Sequence, residues 1–251
     1  MILEHLNETS PLAAVGVLLT VFVGACIQAT IGVGFGLAVA PVLFFIRPDL
    51  VPALVIILGM SSAFGGIVGD QKHIVWNEVF TALVGRVIGI GAAGYILSLV
   101  TDIRQFSIVF ALAMLVTLGL SMLRVTLPFN RVSLSIAGIF SGLLGTLSAV
   151  GSIPMALVYQ DQRAIHARTT MNAFFAIGVV PSLIALWYAG FVGVTHFMHA
   201  AILSPVIVLA SVVSKYLVAY SDKRFRKFLL GFSGVASLAI LLKALIDSAF
   251  G

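Results

Sequence analysis

Arg86 stands about ten residues into an apolar run that extends from position 77 to 98, and no carboxylate accompanies it there. All nine acidic residues (Glu4, Glu8, Asp49, Asp70, Glu78, Asp102, Asp161, Asp222 and Asp247) fall in polar connectors or at the ends of apolar runs. A guanidinium in hydrocarbon costs at least ~2.5 kcal/mol, so it must face the protein interior and find a partner. Two partners suit it: carbonyls freed where a helix breaks, or an anion. The chain offers two such breaks. Between Gln28 and Pro41, Gly32, Gly34 and Gly36 interrupt an apolar run, and each weakens a helix interior by about 1 kcal/mol relative to alanine. Between Gly142 and Pro154, Gly145, Gly151 and Ser152 do the same. Backbone groups freed in this way survive in a bilayer only inside protein or beside a water-filled cavity. The arm that returns from each break begins with free N–H groups and the positive end of its dipole, which suits an anion.

The candidate substrate-binding set follows from these positions. Gly32, Gly34, Gly36, Gly151 and Ser152 offer backbone donors at the breaks, and Gln28, Thr30, Thr146 and Ser148 flank them. Arg86 supplies charge. Ser61 and Ser62 lie in the middle of a run, while Thr169, Thr170 and Asn172 open another. Each also has a purely structural reading: close helix packing for glycines, back-bonding for the serines, capping for the threonines. Packing accounts for Gly59, Gly65, Gly66, Gly89, Gly91 and Gly94.

Other chemistries lack their parts. The single Cys26 has no partner for a disulfide or a thiolate metal cluster. His5, His73 and His166 fall in the tail and in connectors, and His196 and His199 begin an apolar run, so no metal site or cofactor is expected. Neither a nucleophile elbow, nor an H-E-x-x-H helix, nor a buried carboxylate pair is present, which argues against a membrane enzyme.

The elements that must position these residues are helices in a bilayer. Hydrophobic residues make up 61% of the 251, charged residues 9%, and mean hydropathy is +1.17. The expected fold is an all-α polytopic membrane protein. Residues 1–10 carry no basic residue, so a cleaved signal peptide is not expected, and Ser10 with Pro11 reads as a helix start. Residues 12–46 read as a re-entrant or broken helical hairpin, because the arm after Gly36 reaches only ~15 Å before Arg47. Full crossings are expected at about 50–69, 77–98 and 105–123. The connector from Arg124 to Arg131 then marks a boundary, and the pattern restarts: hairpin 132–160, crossings near 169–189, 197–219 and 228–247. The two halves, 1–125 and 126–251, align with an offset of 117 that puts Gly151 on Gly34 and Val150 on Val33. Three crossings per half make the second half inverted. One face then receives Lys72, Arg124, Arg131, Arg163, Arg168, Lys215, Lys223, Arg224, Arg226 and Lys227, and the other only Arg47, Arg104 and Lys243. The positive-inside rule puts the first set in the cytoplasm and both termini outside. Inverted repeats with paired broken helices are a transporter pattern.

The stretch from Gly142 to Pro154 resembles the glycine-rich hairpin of the TauE/SafE sulfite exporters. Gly32, Gly34 and Gly36 followed by Pro41 resemble its first-half counterpart, and Arg168, Thr169 and Thr170 stand where that family has a Gly-Thr-Ser opening. The second cluster departs from the family's pattern, with Ala149, Ser152 and Ile153 in place of glycines. The resemblance spans the chain and implies a secondary transporter of the cytoplasmic (inner) membrane that exports sulfite, an organosulfonate or a related organic anion. An anion channel is the alternative, with a membrane enzyme behind it. The expected partners are the small anion and lipid, without nucleic acid; a homo-oligomer is left open.

Overall fold

The computed structural model describes residues 11–122, 127–217 and 223–249. Ser10, the connector at Arg124 with the 125/126 boundary, and residues 218–222 lie outside the described residues. Regular structure among the described residues is entirely helical. In chain order the helices are α1 (Pro11–Ile31), α2 (Phe35–Ile46), α3 (Ala53–Ile67), α4 (Trp76–Ser98), α5 (Ile103–Met122), α6 (Arg131–Ser148), α7 (Ser152–Tyr159), α8 (Ala164–Tyr188), α9 (Val194–Leu217) and α10 (Lys223–Ala249). Six are long and apolar enough to cross a membrane: α1, α4, α5, α6, α8 and α9. The chain is a multi-pass membrane protein.

The helix ends follow local chemistry. α1 stops at Ile31 because Gly32 and Gly34 take positive φ of 85° and 114°, a region glycine enters freely. α3 starts only after Pro52 and stops before Gly69, whose φ is 94°. Its 15 residues give ~22 Å, shorter than the crossing expected at 50–69. α8 begins at Ala164, five residues ahead of the expected 169. His166 therefore lies on a helix rather than in a connector, and Thr169 and Thr170 lie past the first turn, where they cannot cap. The polar run from Arg163 to Arg168 contains no glycine or proline, and its polarity reflects a helix end near water, not a loop.

Across both breaks the flanking segments touch. A Cβ added to Gly24 would lie 2.9 Å from Val39 Cγ2 and 3.4 Å from Ala38 Cβ, so α1 and α2 touch through a glycine. A Cβ on Gly145 would lie 3.2 Å from Gly151 Cα, so the last turns of α6 lie against the residue that precedes α7.

The closest packing in the bundle joins α4 to α6. Gly85 and Gly89 on α4 face Ser135 and Ile139, while Gly138 and Gly142 on α6 face Ala82 and Arg86. A Cβ on Gly89 would stand 1.9 Å from the Ile139 carbonyl, and one on Gly142 2.2 Å from the Arg86 carbonyl. Small residues let membrane helices approach backbone to backbone. Here they fix the Arg86 backbone against the second break-bearing helix. Other contacts pair α3 with α8, α5 with α10, α1 with α9, α4 with α8, α3 with α9, α2 with α10 and α5 with α7.

Candidate functional site

Arg86 points from α4 into the bundle and is only 4% exposed. Its Nε donates to the Gly178 carbonyl at 3.3 Å and one terminal nitrogen donates to Ser141 Oγ at 3.2 Å. The guanidinium carbon lies 4.9 Å from the Phe174 ring centre and 5.5 Å from that of Phe175, and aromatic faces stabilise a cation. Its carbonyl partner thus comes from the crossing helix α8, not from a hairpin break. α8 makes room for it at Gly178, where a Cβ would meet Arg86 Nε at 2.3 Å. A guanidinium carries five N–H groups, so the two hydrogen bonds leave most of them unused by protein.

Gln28 organises the first break. Its Oε1 accepts from Phe35 N at 3.3 Å, satisfying one of the free N–H groups that open α2. Its Nε2 donates to the Gly32 carbonyl at 3.3 Å and to Asn172 Oδ1 at 3.2 Å. One side chain therefore spans the break and ties it to α8. Asn172 is fully buried, and its Nδ2 has no partner among the described residues. At the second break Ala149 takes φ of 62° and Ser152 opens α7 without a side-chain cap.

Between the breaks lies a cavity of about 60 Å³. Gln28, Phe35 and Gly36 line it from the first break, and Gly145, Ala149, Gly151 and Ser152 from the second. Arg86 enters from α4, Phe175 and Val179 from α8, and Val55, Ile56 and Gly59 from α3. Among the described residues its lining contains one cation and no carboxylate. As one water needs about 10–15 Å³ on this measure, it has room for roughly four water-sized atoms.

Of the fifteen residues singled out from sequence, Gln28, Gly36, Arg86, Gly151 and Ser152 line this cavity. The others stand behind it. Gly32 and Gly34 shape the turn and Asn172 holds Gln28. The hydroxyls are engaged elsewhere: Thr30 with the Cys26 carbonyl, Ser61 with Ile57, Ser148 with Leu144 and Thr169 with Ile165, all back-bonds along their own helices. Ser62 donates to the Ala25 carbonyl and Thr146 to Ser182 Oγ, so both join helices, while Thr170 accepts from Val75 N, the residue just before α4. The break glycines also pack tightly. A Cβ on Gly36 would fall 2.0 Å from the Ala149 carbonyl, and one on Gly151 2.4 Å from that of Ser141.

Sequence reasoning missed Phe35, Val55, Ile56, Ala149, Phe175 and Val179 as lining residues, placed Gly145 at the second break without counting it in the binding set, and assigned Gly59 to packing alone. Apolar types in apolar runs give no signal of which face they present. Gly145 had one: it stands at the offset of 117 from Gln28.

The family model described as sulfite exporter TauE/SafE matches residues 17–240. Neither a curated protein nor a solved structure gives a match.

Proposed function

Because the chain belongs to the TauE/SafE sulfite exporter family, a family of membrane transporters, we propose that it exports sulfite, and that the anion passes through the cavity between the two helix breaks. The observation that carries this reading is Arg86: a buried cation with unused N–H groups, facing a small cavity that holds no acid. Gln28 and Ser152 add side-chain polar groups, and the opening turns of α2 and α7 add backbone donors and dipole. The cavity's size favours a sulfur with three oxygens over a bulkier organosulfonate, which needs the walls to move.

Export needs no pump under this reading. With the cytoplasm negative, each exported negative charge gains ~2.3 kcal/mol per 100 mV. The architecture we propose is an inverted repeat of residues 1–125 and 126–251, each a re-entrant hairpin followed by three crossings, with both termini outside the cytoplasmic membrane. Support comes from the helix contacts. Exchanging α1–α5 with α6–α10 turns the α1–α9 contact into α6–α4, α3–α9 into α8–α4 and α2–α10 into α7–α5, while α3–α8 and α5–α10 map onto themselves, and all of these pairs pack.

The test is counterflow in proteoliposomes, with labelled sulfite against sulfite, sulfate, taurine and sulfoacetate. Saturable exchange of sulfite is expected; exchange of none of the four removes the proposal, and non-saturable flux replaces the carrier with a channel. A reporter fused at the C-terminus tests orientation, and a cytoplasmic signal there contradicts the hairpin count.

A further inference from the structure

A second concave site lies away from the cavity just described. It is a groove of about 200 Å³ where α2 ends, α5 begins and α10 approaches its end. Arg104 and Lys243 lie on its rim, both exposed, and neither forms an ion pair among the described residues. The neighbouring cation is already occupied, since Arg47 makes a two-pronged pair with Asp49 at 2.9 and 2.8 Å. Among the described residues no carboxylate lines the groove. The floor is apolar: Phe44, Ile240 and Ala244 are buried there, while Phe45 and Ile103 are more than half exposed on its flanks. The polar and apolar parts are arranged by depth. Arg104 is the second residue of the span Ile103–Met122, and Lys243 falls near the end of the apolar segment Leu230–Ile246. Each cation therefore falls at an end of an apolar segment, with the apolar floor beside it.

We propose that this groove binds an acidic phospholipid, its phosphate held between Arg104 and Lys243 and an acyl chain laid against Phe45 and Ile103. Two exposed cations attract a net-negative headgroup. A zwitterionic headgroup brings its own cation, which finds no acid in the groove and meets two like charges. Arg104 can grip two phosphate oxygens at once, whereas Lys243 acts as a point charge on an apolar stem that lies along the wall.

The experiment is native mass spectrometry of the purified protein in neutral detergent, titrated with phosphatidylglycerol and phosphatidylcholine of matched chains. The wild type is expected to retain phosphatidylglycerol about thirtyfold better, the effect of two interfacial cations at about 1 kcal/mol each. Arg104→Gln with Lys243→Gln should erase that preference, Arg104→Lys should keep most of it, and Arg131→Gln, at the opposite end of the bundle, should leave it unchanged. Equal retention of the two lipids by the wild type overturns the proposal, as does an unaltered preference in a double variant whose melting temperature shows it folded. Glycerol phosphate is the arm for a chainless anion: if it displaces phosphatidylglycerol at equal concentration, the acyl chain contributes nothing and the groove is an anion vestibule. Should the double variant fail to fold, Arg104→Gln and Lys243→Gln singly carry the same test, each with a partial loss expected and no loss fatal. Sulfite counterflow is read separately and has no bearing on the outcome.

Discussion

Gly32 and Ala149 stand 117 positions apart and both carry left-handed backbone, with φ of 85° and 62°. Each follows directly on the last residue of a helix, Ile31 of α1 and Ser148 of α6. The helices that return, α2 at Phe35 and α7 at Ser152, begin at the same offset. The left-handed step out of the helix therefore recurs even where the residue that adopts it does not, while the later step differs, with φ of 114° at Gly34 and −97° at Gly151. Glycine takes the left-handed step without strain, whereas an alanine crowds its Cβ against the neighbouring carbonyl, at a cost of about 1–2 kcal/mol.

Ala149→Gly should therefore stabilise the protein. Subtracting the greater chain entropy glycine loses on folding, roughly 0.5–1 kcal/mol, leaves a net gain of about 0.5–1 kcal/mol. Thermal unfolding in detergent should show a rise of about 2 °C. Gly32→Ala should do the reverse, with an added clash, because its Cβ would come 3.1 Å from Arg168 Cα. Equal melting temperatures for wild type and Ala149→Gly would show that the turn is set by its surroundings and stores no strain.

Gln28 and Asn172 are bonded to each other, yet their removal should have unequal effects. Gln28→Leu strands Phe35 N, the Gly32 carbonyl and Asn172 Oδ1 in a buried site. Each such group costs about 1–3 kcal/mol, so a large loss of stability is expected. Asn172→Leu removes one bond but also a buried Nδ2 that has no partner, so the change should be small. The comparison is of melting temperatures, and a larger drop for Asn172→Leu contradicts the reading of Gln28 as the pin of the break.

The breaks are legible in the sequence because alternate glycines weaken any helix that an apolar run could form, and Arg86 is legible because a cation without an acid stands out in such a run. Gln28 draws notice only for its place beside the break; its role as a brace between α1, α2 and α8 depends on a residue 144 positions away. The threonines and serines suggest more than they do: a hydroxyl in a helix finds a carbonyl on its own preceding turn, as Thr30, Ser61, Ser148 and Thr169 do. Conversely, the start of α8 is hidden because polar residues can extend a helix beyond hydrocarbon. Gly178 carries no signal, since one glycine in an apolar helix says nothing about which side chain it admits.

Two glycines of α4 separated by two positions should behave oppositely. Gly89→Ala would put a Cβ 1.9 Å from the Ile139 carbonyl, which is backbone and cannot yield without parting α4 from α6. Loss of folded protein, or destabilisation of about 2 kcal/mol or more, is expected. Gly91 faces open space, with nothing within 4 Å, so Gly91→Ala should be neutral or gain up to about 1 kcal/mol of helix propensity. Size-exclusion profiles and melting curves of the two variants decide it, and similar behaviour would mean that the α4–α6 interface tolerates a wider spacing than the structure gives it.

The Arg86 guanidinium separates charge from packing at the proposed anion site, and three substitutions are needed to read it. Arg86→Lys keeps a cation but cannot reach two oxygens in one plane, so sulfite affinity should fall while remaining measurable. Arg86→Gln and Arg86→Met both remove the charge, and both should lose sulfite binding and counterflow. They should differ in stability. Gln keeps polar groups for Ser141 Oγ and the Gly178 carbonyl, while Met fills the space beside Phe174 and Phe175 without any desolvated charge. Replacing a buried ion by an apolar side chain of similar volume is often neutral or stabilising, so Arg86→Met should melt at or above the wild type. Calorimetry with sulfite alongside thermal unfolding gives both quantities for each variant. If Arg86→Met melts far below the wild type while Arg86→Gln binds sulfite with unchanged affinity, the arginine serves to tie α4 to α6 and α8, and the anion is held by the opening turns of α2 and α7 without it.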